Sequence, residues 1–243
     1  MTWPTARSLT LCLLACALAS GCNAPGKPGL GPEVPRPEDV TDFATLYSQN
    51  CAACHGEHGR NGAAISLANP VYLAIAGVSN IQRITANGVP NTAMPPFSKA
   101  KGGMLTDKQI AILAQGMIST WSNPTALAGQ IAPAYAGSTP GNPAQGEKVF
   151  ATFCARCHGA DATGAHPANA PATGSLVDPA YLALISDQGL RSFILAGQTE
   201  QGAHDWRSYS ATHPMTDAEI AGTVAWLTSH RVAAPGAPYK PQP

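Results

Sequence analysis

The chain has 243 residues, a formal charge of zero and only 12% charged side chains. With no basic excess, nucleic-acid binding has no support, and no run of 18 or more apolar residues exists to span a membrane in the mature chain. The 24 glycines and 22 prolines point to long irregular stretches, and the length allows one or two domains.

The N-terminus reads as a targeting segment, 1–21. Arg7 supplies a short positive region, and LTLCLLACALAS is an apolar run of the length of a signal core. It ends in LASGC, with small residues before Cys22. This resembles the lipobox of bacterial lipoproteins, in which the cysteine after the cut receives lipid. The resemblance implies lipidation at Cys22, export, and a place on the periplasmic side of the membrane. A second match, LLAC at Cys16, leaves a very short apolar core; ordinary cleavage with Cys22 as a bystander is the plain alternative. Residues 22–38 carry NAPGKPGLGPEVPRPE, with five Pro and three Gly in 16 residues. Such a segment is a stiff, solvated tether, about 50 Å long at ~3.1 Å per residue.

Cys12 and Cys16 fall in the signal segment and Cys22 directly follows it; the other four are Cys51, Cys54, Cys154 and Cys157. They form CAACH (51–55) and CARCH (154–158), both C-x-x-C-H, the signature of covalent haem c attachment. On one helical turn, residues i, i+3 and i+4 share a face. Two thiols can then add to the two haem vinyl groups while the imidazole of His55 or His158 reaches the iron. From this composition, chance gives about 0.006 occurrences, against two found. A thioredoxin-type pair would need a βαβ setting, which is missing. A zinc site would not put its histidine directly after the second cysteine. Two covalently bound haem c groups are therefore expected, and their attachment also requires export.

The two halves repeat. DFATLYSQNCAACH (42–55) reads as a helix leading into the first motif, and QGEKVFATFCARCH (145–158) as its counterpart. NPVYLAIAGVSNIQRITANG (69–88) aligns without a gap with DPAYLALISDQGLRSFILAG (178–197). LTDKQIAILAQGMIST (105–120) aligns with MTDAEIAGTVAWLTSH (215–230). Both of these last segments hold T-D-x-[QE], a capping box that opens a helix: Thr106 with Gln109, and Thr216 with Glu219. Strand signals are scarce. The order helix, haem motif, loop, short helices, Pro-rich loop, final helix resembles the class I cytochrome c fold. The resemblance covers about 39–121 and 144–232. It implies an all-α protein of two tandem small cytochrome c domains, each wrapped around its haem. SNPTALAGQIAPAYAGSTPGNP (122–143) reads as an irregular linker, and 233–243 as a disordered tail. Each domain has under 90 residues, so its own apolar core is marginal and the haem must supply part of the contact.

In class I cytochromes c the sixth iron ligand is usually a methionine in a Pro-rich loop. VPNTAMPPF (89–97) fits and assigns the role to Met94; Met104 and Met117 sit at the start of the last helix and within it. A thioether raises the reduction potential. The second domain reads QTEQGAHDW (198–206), with Ala203 opposite Met94 and His204 opposite Pro95. Four readings stay open. His204 ligates after a one-residue shift, giving a bis-His iron of lower potential. Met215 ligates, although it aligns with Leu105 at the staple position before an N-cap. His213 or His166 ligates. Or the iron is open. His58 and His230 read as surface histidines.

Two haems on a tethered, exported chain imply electron transfer between a quinol-oxidising complex and a terminal oxidase or reductase. Two other readings stand beside it. One is a haem enzyme with an open second haem; the other is an electron-transfer subunit of a dehydrogenase complex. Domain 1 has five Lys/Arg against four Asp/Glu, and domain 2 five against eight. Lys99 and Lys101, just after the Met94 loop, are candidates to steer an acidic redox partner.

Overall fold

The computed structural model describes residues 31, 34–165, 172–207 and 213–233. The signal segment, Cys22, His166 and the tail from 234 lie outside these residues. The chain divides after Pro37, and the unit from Glu38 onward holds both halves of the repeat.

Helix α1 (Phe43–Asn50) opens on Asp42, whose carboxylate accepts the Thr45 N–H at 2.8 Å. It closes at Cys51, whose N–H donates to the Tyr47 carbonyl. The carbonyl of Cys51 then starts a new turn by accepting from the N–H groups of Cys54 and His55, which gives α2 (Ala52–His55). One continuous helix was expected over 42–55; the chain instead breaks at the first cysteine of the motif. The second half does the same. Helix α5 (Pro143–Phe153) is capped by Asn142 and ends at Cys154, and α6 (Ala155–His158) follows. Proline at the first position suits each N-terminus that carries it, since its missing N–H would be unpaired there anyway.

Helix α3 (Pro70–Asn87) bends at Gly77, whose φ of 64° no β-carbon residue adopts readily. The repeat puts Ser186 at that place. There the bend becomes a full break between α7 (Pro179–Leu184) and α8 (Asp187–Ala196), with the Ser186 hydroxyl capping α8 at the Gly189 N–H. Helices α4 (Asp107–Trp121) and α9 (Asp217–Thr228) each open with the expected capping box, closed in both directions. Among the described residues there is no strand, only the isolated bridges Ser98–Leu105 and Gln198–Ala203. The protein is all-α.

The first and last helices of each half cross beside the motif. In the first half the Phe43 ring lies against Gly116 of α4, and Tyr47 meets Trp121 edge-on at 5.0 Å. In the second half bulk and void change sides: Gly146 of α5 faces Gly222 of α9 backbone to backbone, and Trp226 covers Phe150 at 4.6 Å. The segment between the halves has no helix, yet it is anchored. Tyr135 is buried. Arg191 of α8 donates to the carbonyls of Ala134 and Tyr135 and pairs with Asp217. The halves also touch directly: Ala196 belongs to the core of the first half, and Ile75 packs on a core of the second.

A β-carbon on Gly146 would overlap the carbonyl oxygen of Gly222. Gly146→Ala is therefore expected to spread α5 from α9 and destabilise the second half by about 1–3 kcal/mol. Thermal unfolding should show the loss in that half first, while Gly174→Ala, with open space at its β-carbon and no left-handed backbone angle, provides a substitution without the clash.

Candidate haem sites

Each CxxCH turn stands where a helix has just ended, so its geometry is set by backbone bonds. In both turns the first cysteine is half-buried and the second exposed. Burial pushes the thiols of Cys51 and Cys154 up to about 12. Desolvation also holds His55 and His158 below the usual imidazole range, hence neutral, which is the form that ligates a metal. His55 is buried, and its Nδ1 lies 2.8 Å from the Ile65 carbonyl oxygen. A carbonyl can only accept, so Nδ1 carries the proton and Nε2 keeps its lone pair free for iron. Such a second bond is the usual way a ligating histidine is oriented.

The loop after each turn folds back on it. In the first site the Ala64 N–H donates to the Cys54 carbonyl at 2.9 Å, which brings Ile65 to His55. In the second site this loop is six residues longer, and the Thr173 hydroxyl donates to the Cys157 carbonyl instead. His158 Nδ1 and Trp206 Nε1 are buried there without a partner among the described residues. Trp206 shares an apolar cluster with Cys154. A buried indole N–H without an acceptor fits a bound group that carries carboxylates, as a porphyrin does. The donor set of two thiols and one neutral imidazole per turn fits haem c equally well.

The loops 89–97 and 198–206 share one frame. The Val89 N–H donates to the Met94 carbonyl at 3.0 Å, and the Gln198 N–H donates to the Ala203 carbonyl at 3.0 Å. Gly88, at φ 66°, lies against 94–96, and Gly197, at φ 69°, lies against 203–204. These matches put Ala203 where Met94 stands, as the gapless register predicts, with His204 in the place of Pro95. Met94 is half-buried and His204 exposed. Met104 is exposed, while Met117 lies in the first core. Met215 is buried with Ile220, Trp206 and Phe153. Its N–H bonds the Trp206 carbonyl as that of Leu105 bonds Phe97. Met215 and Ile220 are the N′ and N4 residues of a hydrophobic staple. His213 pairs with Glu219 at 3.0 Å. His58 is exposed; His230 bonds the Trp226 carbonyl through Nδ1.

Residues 38–115 match the family model for cbb3-type cytochrome c oxidase subunit III, and residues 143–231 match that for cytochrome c. The chain carries two cytochrome c domains in tandem. It is 31% identical over 154 residues to the cbb3-type cytochrome c oxidase subunit FixP of Sinorhizobium medicae, covering 59% of this chain and 46% of that protein. It is 30% identical over 159 residues to subunit CcoP of an Azospirillum strain, covering 59% and 49%. The chain spans about half the length of the curated relatives it matches. A chain of the Kuenenia stuttgartiensis reducing HAO-like protein complex aligns with a TM-score of 0.45 at 17% identity, over 82% of this chain and 100% of that one. The two cytochrome c domains bring two covalently bound c-type haems. Cytochrome c domains are generally exported to the periplasmic side, and no helix among the described residues is long and apolar enough to cross a membrane.

Some features of the sites left no plain mark in the sequence. The Ile65 carbonyl is a backbone partner that any residue type offers. Trp206 stands opposite Phe97 in the gapless register, and an indole in place of a phenyl ring adds a donor.

A β-carbon on Gly88 would stand 2.5 Å from the Pro96 nitrogen at a backbone angle that favours glycine. Gly88→Ala is expected to cost about 1–3 kcal/mol, and Gly197→Ala a similar amount in the other domain. Separate thermal melts of the two variants check both values.

Proposed function

We propose that this protein is an exported dihaem electron-transfer protein delivering electrons toward a terminal oxidase or reductase. The observation that carries the reading is the pair of cysteine turns, each with a buried or half-buried neutral histidine, in two cytochrome c domains. Each haem, when bound, supplies a one-electron couple. Cys51 and Cys54 hold the first by thioether bonds, and Cys154 and Cys157 the second. His55 and His158 would each bind an iron through Nε2. Met94 would bind the iron in domain 1, held by a loop fixed through Thr92, Pro95 and Pro96.

For domain 2 we assign His204. Ala203 has no ligating atom, and Met215 is committed to the staple of α9. A bis-His iron lies at lower potential than a His/Met iron, which makes domain 2 the entry and domain 1 the exit, beside Lys99 and Lys101. The relatives named as cbb3 oxidase subunits support a terminal oxidase as acceptor, with a quinol-oxidising complex as donor. The LASGC site and the Pro/Gly tether support lipid anchoring at Cys22 after removal of 1–21.

Mass spectrometry of the mature protein should show two haem additions that survive denaturation; one or none rejects the reading. Met94→Ala should remove the weak red thioether-to-Fe(III) band and lower the potential of the first haem. His204→Ala should turn the second haem high-spin and reactive toward CO; if the wild type already binds CO readily, the second iron is open and a haem enzyme becomes the better reading. Cys22→Ser should move the protein from the membrane to the soluble periplasmic fraction.

A further inference from the structure

One buried amide crosses the boundary between the two domains. Asn69 and Asp178 occupy the same place in the repeat, and both cap the helix that follows. Asn69 Oδ1 accepts from the Val71 and Tyr72 N–H groups, and Asp178 Oδ1 from those of Ala180 and Tyr181. The cap needs only an oxygen, so it does not explain why the first copy has an amide. Asp178 is exposed, while Asn69 is 2% exposed. The Nδ2 of Asn69 donates across the domain boundary to the carbonyls of Ala196 at 2.9 Å and Gly197 at 3.3 Å.

Gly197 is where the distal loop of domain 2 begins. A β-carbon there would stand 2.5 Å from the His204 carbonyl carbon, so the backbone of 197 and that of 203–204 are in contact. Gln198 and Ala203 close the loop between them by exchanging two N–H···O bonds, each 3.0 Å. A second bond crosses the boundary into the same loop, from the Ser66 hydroxyl to Glu200 Oε1 at 3.1 Å. The counterpart loop of domain 1 receives no amide from Asp178, which cannot donate.

We propose that Asn69 of domain 1 is a positioning residue for the distal loop of domain 2, so that the second haem's iron environment is set in part by the first domain. The inference rests on the reading that 198–206 lies on the distal side of a haem held by 154–158. Buried bonds to the carbonyls of Ala196 and Gly197 fix where the loop leaves α8, and through it where residues 203 and 204 stand. The coupling acts in one direction in the repeat, because only one of the two caps carries an amide.

The test uses the full haem-loaded chain. Asn69→Asp keeps an oxygen for the cap of α3 and replaces the amide donor with a carboxylate, and Asn69→Gly, a residue that an N-cap tolerates, removes the cross-boundary donor altogether. Haem content by mass spectrometry comes first: fewer than two haems in the wild type removes the reading on which the proposal stands. With two haems present, a redox titration that resolves both should show the second haem moved in both variants. The expected change in the ratio of its reduced to oxidised forms is about threefold or more at fixed ambient potential, with an altered low-spin signature. The first haem should keep its potential and spectrum. Wild-type behaviour of the second haem in both variants would overturn the proposal. So would an equal change at both haems, which would make Asn69 a plain structural residue of α3.

Discussion

The crossing of the first and last helix in each domain is the constraint on which the rest depends. The CxxCH turn starts on the residue that ends the first helix, through the bonds Cys51 to Tyr47 and Cys154 to Phe150. Any rotation of that helix would carry both thiols and the imidazole with it. The crossing is therefore packed without slack, though by different means in the two domains. A ring lies against a glycine in the first, and two glycine backbones meet in the second. Covalent attachment then fixes the cofactor to this crossing, which suits domains too small to enclose a porphyrin by an apolar core alone.

The distal loops show the converse: an equivalent backbone with different chemistry. The bond from residue 89 to 94 recurs from 198 to 203, and a glycine with positive φ opens each loop. What differs is what the frame presents, a thioether at 94 and a methyl group at 203. Holding the backbone constant while changing one side chain lets a duplicated fold present different chemistry at the same place without redesign of the domain. The longer loop after CARCH adds to the difference, since among the described residues His158 lacks the carbonyl partner that orients His55.

Much of this was legible in the sequence because the strongest signals are local. The motif spacing, the capping boxes at Thr106 and Thr216 and the gapless register through 69–97 and 178–206 each rest on residues close along the chain. The break at Cys51 was not legible, because a turn restarted by one carbonyl keeps the residue pattern of a continuous helix. Nor was the anchoring of the segment around Tyr135: its prolines argue against a helix, but the Arg191 that holds it lies 56 residues away. Asn69 left a trace, an amide opposite a carboxylate at the same cap. A cap position tolerates either residue, so the difference acquires meaning only once burial is known.

The contact between the domains links stability to function. Each domain completes part of its core with the other: Ala196 sits in the first core, Ile75 against the second, and Tyr72 against Tyr135. The surface that domain 2 offers for this purpose includes the end of α8 and the loop with Glu200, the stretch leading to position 203. Domain 1 offers Ser66 and Asn69, at the start of α3. A protein that only needed two linked carriers could join them through any exposed face. Here the joint uses the loop at 198–203, so a movement between the domains would reach that loop directly. Two haems in such an arrangement form one unit whose second member depends on how the first domain is seated.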